Sequence, residues 1–598
     1  VRITKFFAAT QMKAEIKLAA LCLIVIAASV ESAESADDTT AQLHRLYEST
    51  RERLFREDPR LASADGDKRY NTLWPDLSLA SLQAIATENA NALKELAAIS
   101  AAGAGTEQLN RELFRRWIQN EIDRFRLGER ERPLDQLNYS NGVLTANETA
   151  GVIAFDSVRD YQDWIARLKT VGPMVDQTIA LMREGIKHKN VNPKHIMLRA
   201  RAQLQAQLVN DSDQSPFFEP FKEFPASMSP IERGQVIGQA RIAIRDQVVP
   251  AFKRLDMFLE KEYLPKCRNS IGIWDTPNAA EFYRNRIAWF TTTNLSADEI
   301  HDIGVREVER IRNEMRAIAE QTGFRGGLAE FFIKLRSDPR FKVKNPDELL
   351  RAYQAQAKRV DPLLPKFFGK LPRIPYGVRA IPAASAPDTT SAYYQPASPD
   401  GRRPGYFTVN LYKPEERPTY EIPALTLHES VPGHHLQISL AYELGELPKF
   451  RREFEATAFV EGWALYSESM GDEMGLYTDP YDKFGQLSFE MWRSLRLVID
   501  TGIHHKRWNR EQAIALFKAN TAKSDIEIEN EVDRYIAWPG QALAYKLGQL
   551  KIRELRTQAE KQLGVRFDVR EFHDLVLGSG AVPLDVLEGN VKAWLKAK

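Results

Sequence analysis

Apolar residues recur every three to four positions along most of this chain, the spacing that lines one face of an α-helix. Asp38–Phe55 sets Leu43, Leu46, Tyr47 and Leu54 at near-helical intervals. Leu77–Ser100, Glu107–Arg126, Asp160–Glu184, Lys194–Leu208 and Ile231–Tyr263 continue in that style, with a kink expected at Gly172-Pro173. Pro216, Pro220, Pro225 and Pro230 interrupt it, so Ser215–Pro230 reads as a loop over a cleft. Ser296-Ala297-Asp298-Glu299 is a capping box that opens a helix over Ile300–Thr322. Pro346–Phe367 is helical again, and the prolines of Leu371–Pro387 predict loop and short extended segments. The period then changes. Tyr393–Pro396 and Tyr406–Leu411 are strand candidates, separated by the turn signal Pro399-Asp400-Gly401. Helices return at Glu421–Glu443, Phe450–Met470, Tyr481–Lys506, Arg510–Asn520 and Ile526–Lys551, the last broken by Pro539-Gly540. The predicted fold is mainly α, with a small β-sheet just before the helix at Glu421–Glu443. An edge of that sheet would suit an extended peptide.

A chain of 598 residues exceeds one ordinary core, so two lobes are expected, 37–290 and 291–598. With 43% hydrophobic and 27% charged residues and a net charge of +1, nothing calls for a nucleic-acid or anionic-membrane partner. The N-terminus changes the picture. Lys13 and Lys17 precede the apolar run Leu18–Val30, and small residues follow within Ser32–Ala36. Residues 1–36 therefore read as a signal peptide, with 1–11 an upstream extension if Met12 is the start, and an uncleaved anchor as the alternative. The protein is expected to be exported, either periplasmic or secreted. Cleavage would leave Cys267 as the one cysteine, so the fold would stand without an internal disulfide.

Candidate chemistry concentrates in Thr426–Gln437, T-L-H-E-S-V-P-G-H-H-L-Q, which holds three of the ten histidines. Glu429 follows His428 directly, as a carboxylate would that acts as general base beside a metal ion. In the H-E-x-x-H pattern of zinc peptidases the second histidine comes four residues after the first. Here that position is Pro432, and His434 comes six residues on. A regular helix would turn His434 roughly 240° away from His428, so a bulge at Pro432-Gly433 is needed to bring the two together. His435 lies near the His428 face but ~10 Å along the axis. His428 and His434 are thus the expected ligands, with His435 behind them or on substrate.

Along Phe450–Met470, Phe454, Ala458, Glu461, Leu465 and Glu468 share one helical face. A carboxylate amid apolar residues needs a partner or a metal, which makes Glu461 the third candidate ligand and Glu468 a candidate for orienting a histidine. Arg493, Arg496, Asp500 and His504 form a polar stripe that reads as a buried network. Around the Pro539-Gly540 break, Arg534, Tyr535, Tyr545 and Lys546 are candidates to steady an oxyanion or hold a substrate carboxylate. His573 precedes a Gly-rich turn into the last helix and is a further substrate-binding candidate.

Four stretches, H-E-S-V-P-G-H-H-L-Q, V-E-G-W-A-L-Y-S-E, R-Y-I-A-W-P-G-Q-A-L-A-Y-K and F-H-D-L-V-L, resemble the bacterial family designated domain of unknown function 885. That family is similar in turn to gluzincin metallopeptidases of the thimet oligopeptidase and thermostable carboxypeptidase groups. The resemblance implies a largely helical, two-lobed fold with a deep cleft. It implies a zinc site in which a glycine precedes the second histidine, as Gly433 precedes His434. It implies a third ligand on a following helix, where Glu461 stands, and a late tyrosine, Tyr535 or Tyr545, that assists catalysis.

The expectation is an exported zinc metallohydrolase, a carboxypeptidase or oligopeptidase of short peptides. One zinc ion on His428, His434 and Glu461 would leave one open position, with Glu429 as general base. Two other readings share the residues: a non-catalytic peptide-binding protein on the same fold, and a non-haem iron enzyme using two histidines and a carboxylate.

Overall fold

The computed structural model describes residues 38–598, apart from 101–104, 138–141, 383–385, 387–389, 399–402, 446, 453 and 455. The expected signal segment 1–36 and the turn Pro399-Asp400-Gly401 lie outside the described residues. The described chain is mainly helical, with three short strands.

It forms two compact units, but not the expected pair. The first comprises Val1–Phe125 with Pro448–Phe454. Its described part is built on a helix over residues 38–57, Leu79–Ala98 and Thr106–Arg126. Leu43, Leu46 and Tyr47 are buried, as their spacing predicted. The ring of Phe450 packs 4.8 Å from Tyr47 and 5.4 Å from Phe114. That placement explains why Phe450–Met470 is not one helix. Lys449–Arg452 is a 3-10 turn serving this core, and the helix proper runs Thr457–Ser469.

The second unit is Arg126–Leu447 with Glu455–Lys598. No division falls near residue 290, because an apolar cluster joins Leu127, Phe282 and Ile287 to Ile300, Leu497 and Leu547. Polar bonds cross the same position: buried Asp533 accepts from Arg199 (2.6 Å) and meets His195 Nε2 at 2.9 Å. The kink expected at Gly172-Pro173 is a break between helices Val158–Lys169 and Val171–His188. The Pro-rich Ser215–Pro230 is packed in rather than draped over a cleft: Phe217, Phe218 and Phe221 are buried, and Trp164 donates to the Phe217 carbonyl.

The capping box forms as read, with Ser296 and Glu299 exchanging hydrogen bonds at the start of Ala297–Gln321. That helix lies along Pro480–His504, whose residues are buried on nearly every side. Gly304 makes this possible, since a Cβ there would meet Leu497 Cβ at 2.7 Å. A helix so enclosed can carry its polar residues only in networks.

The sheet has the order β1-β3-β2, with β1 Tyr376–Ala380, β2 Ala392–Gln395 and β3 Gly405–Val409. β2 and β3 pair antiparallel, as the turn signal predicted, while β1 adds in parallel on the other side of β3. β1 is a short extended segment inside the Pro-rich stretch, and its pairing partner could not be read locally.

Candidate metal centre

The expected bulged helix over Glu421–Glu443 is instead two helices. Ile422–Glu429 ends at Ser430, and His434–Tyr442 starts anew after Gly433. The Val431–Pro432 peptide between them is cis. His435 N–H reaches back to the Ser430 carbonyl (3.0 Å), closing the turn. Gly433 is required here by crowding, because a Cβ would overlap the carbonyl oxygens of Leu427 and His428. The turn is pinned from outside by Trp463, whose Nε1 donates to the Pro432 carbonyl at 2.7 Å. Since Trp463 is two residues from Glu461, the same contact sets the histidine pair against the glutamate.

The result is a cluster. One nitrogen each from His428 and His434 and one oxygen of Glu461 all lie within 4.8 Å of one another. Glu461 Oε2 is 3.7 Å from His428 Nε2 and 3.6 Å from His434 Nε2. These separations are long for hydrogen bonds. They approach the roughly 3.3 Å between ligand atoms held ~2.0–2.1 Å from a tetrahedral zinc. His428 Nδ1 sits 2.7 Å from Oε1 of fully buried Glu468, which leaves Nε2 to face the cluster. His434 Nδ1 is buried without a hydrogen-bond partner among the described residues. Two imidazoles and a carboxylate, with one imidazole braced by a second carboxylate, fit a zinc ion.

Burial disfavours a charged His428, but the Glu461 and Glu468 carboxylates outweigh it and hold its pKa up at about 9. Burial likewise opposes ionisation of Glu461, yet His428 and His434 hold it well below the usual carboxylate range. Glu429 is buried at the end of the His428 helix, and its carboxylate makes no hydrogen bond or ion pair among the described residues. It is available to a substrate or a water.

The remaining candidates separate. His435 points away from the cluster: Nδ1 meets Tyr394 of β2 at 2.9 Å, and the ring lies 4.7 Å from Tyr376 of β1. It docks the sheet on the second helix. Tyr545 and Glu461 lie near one crossing, where Gly462 of Thr457–Ser469 meets Gly548 of Ala544–Leu563 backbone to backbone. Burial, then the Glu461 charge, pushes the Tyr545 hydroxyl up, and Arg534 donates to it at 3.3 Å. Tyr535 is committed elsewhere, its hydroxyl accepting from Trp492 Nε1 and Arg496 Nε, both at 3.1 Å.

Lys546 is not placed to bind substrate. It is fully buried, with its ammonium on Glu490 (2.7 Å), Glu307 (2.9 Å) and Gln549 (2.7 Å). His573 is buried as well, between Tyr466 Oη (2.8 Å) and the Phe367 carbonyl (2.9 Å), and burial lowers its pKa to about 3. His504 accepts from the Ile273 N–H and donates to the Tyr535 carbonyl, a structural role. Sequence reasoning missed the Trp463–Pro432 bond and the tyrosines on His435, because both join segments far apart in the chain.

The sequence profile described as bacterial protein of unknown function (DUF885) matches residues 59–591. The crystal structure of the "putative lipoprotein from Colwellia psychrerythraea" is 30% identical, with a TM-score of 0.88, covering 94% of this chain and 100% of that one. The "putative lipoprotein of unknown function from Shewanella oneidensis" is 18% identical, with a TM-score of 0.70, and covers 91% of this chain and 98% of that one. The second likeness speaks to fold alone. No curated protein matches at a significant level.

Proposed function

The chain belongs to the bacterial family DUF885, and we propose that it is an exported zinc-dependent peptidase acting on short peptides. One observation carries this reading: His428, His434 and Glu461 converge, with the unbonded carboxylate of Glu429 next to His428 in sequence. A binding protein has no need of that last group. The gluzincin resemblance supplies the substrate class, since a helical cleft admits extended peptide ends more readily than folded chains. Export is supported by the lipoprotein description of the Colwellia relative. No helix among the described residues is long and apolar enough to cross a membrane.

When bound on these three residues, zinc supplies Lewis acidity toward a water and a carbonyl oxygen. Glu429 takes the proton of the attacking water and returns it to the leaving amine. Tyr545, with its proton held on by burial and by Glu461, donates to the developing oxyanion. Glu468 keeps the His428 ring oriented throughout.

The test is zinc content together with hydrolysis of a mixed panel of short peptides. Wild type should carry about one zinc per chain and cleave, whereas Glu429→Gln should keep the metal and lose cleavage. A zinc-loaded wild type that leaves every peptide intact, or a fully active Glu429→Gln, would sink the reading.

A further inference from the structure

A cavity of about 460 Å³ lies between the helix Ala279–Thr291, the start of Ala297–Gln321 and the end of Pro480–His504. Small-molecule sites run roughly 300–1,000 Å³. None of its lining residues belongs to the cluster of His428, His434 and Glu461. Trp274, Tyr283, Ile287 and Leu295 give it apolar walls, Arg284 and Arg507 bring cations, and the lining includes no carboxylate.

The other polar groups of the lining are spent inside the protein. Tyr283 Oη donates to Asp500 at 2.6 Å. His504 accepts from the Ile273 N–H and donates to the Tyr535 carbonyl. Burial lowers its pKa to about 3, so the ring adds no charge. Ser296 is tied into its capping box with Glu299. These residues therefore offer a ligand rings and aliphatic surface.

The neighbouring carboxylates face partners of their own. Asp298 takes His505 (3.0 Å) and Lys506 (2.7 Å), Glu281 takes Arg126 (2.7 Å), and Asp275 accepts from Ser270. Arg507 is exposed, and its side chain makes no hydrogen bond or ion pair among the described residues. Its guanidinium carbon lies 5.0 Å from the centroid of the Trp274 ring. The backbone φ of Arg507 is 61°, in the left-handed region that glycine occupies without strain. The chain turns there, and the Trp508 N–H reaches the Gly502 carbonyl at 2.9 Å. An arginine in that turn sets a planar cation against an indole in the cavity lining. Guanidinium groups bind carboxylates through paired, directional N–H bonds.

We infer that this cavity binds a small aromatic carboxylate, its ring against Trp274 and Tyr283 and its carboxylate on Arg507, with Arg284 as the second cation. The inference does not rest on the peptidase reading. The acid has two sources, a free aromatic acid or the C-terminal aromatic residue of a peptide.

The experiment is calorimetric titration of the protein with naphthalene-2-acetate, naphthalene-2-acetamide and acetate. The aromatic acid should bind at least about ten-fold more tightly than either the amide or acetate. Arg507→Gly removes the guanidinium and suits the left-handed turn, so it should fold and cut the preference for acid over amide at least about three-fold. Leu295→Trp fills space in the cavity and should weaken both naphthalene probes, with melting curves reporting whether each variant folds. Competition by N-acetyl-dialanyl-phenylalanine, as acid but not as amide, would identify a peptide end as the source, and its absence would assign the cavity to free acids. Equal binding of acid and amide, acetate binding as tightly as the aromatic acid, or no binding of any probe would each overturn the inference. So would an acid preference undiminished in folded Arg507→Gly, or binding untouched in folded Leu295→Trp.

Discussion

Glu468 grips His428 from behind: its Oε1 lies 2.7 Å from Nδ1, and neither side chain is open to solvent beyond 3%. The two residues are forty apart in the chain. Arg493 stands 3.7 Å from the same oxygen, so the buried carboxylate meets a cation as well as the imidazole. The contact fixes the ring and the tautomer that turns Nε2 toward Glu461. Losing such an outer carboxylate typically weakens metal binding about 10–100-fold. Glu468→Gln should therefore still fold but bind zinc more weakly by that factor, as read by chelator competition. Unchanged affinity would reduce Glu468 to a packing role.

The two adjacent histidines should behave oppositely. His434→Ala removes a cluster nitrogen and should lower zinc to well below one per chain. His435→Ala removes the partner of Tyr394 and the ring against Tyr376. It should keep zinc and lower the melting temperature, a loss of about 1–3 kcal/mol for a buried hydrogen bond and its packing. Elemental analysis of both variants decides, and zinc lost only from His435→Ala would reverse the assignment.

Gly548→Ala should be severe. Its Cβ would overlap the Ala458 carbonyl oxygen and stand 2.8 Å from Gly462 Cα, and backbone cannot step aside as a side chain can. Overpacking of this sort costs roughly 1–3 kcal/mol or more. The helices that carry Glu461 and Tyr545 would be pushed apart, so zinc affinity and any peptidase activity should fall with stability. An unchanged melting temperature would show that the crossing tolerates a Cβ at this position.

Asp500 gives the protein a pH-dependent stability. It is fully buried, and burial lifts its pKa to about 7 despite hydrogen bonds from Tyr283 (2.6 Å) and the Gly540 N–H. In the unfolded chain an aspartate titrates near ~3.9. Between those values the folded state holds a proton that the unfolded state has lost. Stability therefore falls as pH rises through that window, by at most about 1.4 kcal/mol per unit, and levels off above it. Asp500→Asn has no such proton. Its melting temperature relative to wild type should climb from pH 5 to 7 and then stay level, and parallel curves for the two proteins would exclude the effect.

Most of the helices, the β2–β3 pairing and the residues that converge in the cluster were legible in the chain before any tertiary contact. Those signals are local. Apolar spacing of three to four, a capping box and a Pro-Asp-Gly turn act over a few residues, and so does the crowding of His428, Glu429 and His434 around Pro432-Gly433. The lone carboxylate on an apolar helical face made Glu461 visible for the same reason.

The tertiary structure decided what depends on distant partners. It ended the first helix at Glu429 instead of bulging it, because Trp463 holds the Pro432 carbonyl from another helix. It took Phe450 away from the Glu461 helix to fill a core with Tyr47 and Phe114. It closed Lys546 and His573 into networks with Glu490, Glu307, Tyr466 and the Phe367 carbonyl, although their side-chain chemistry would have suited a substrate. It set Arg507 against Trp274 in the lining of a cavity. A side chain's type limits what it can do, but burial and partners select among those uses, and both are properties of the packed chain.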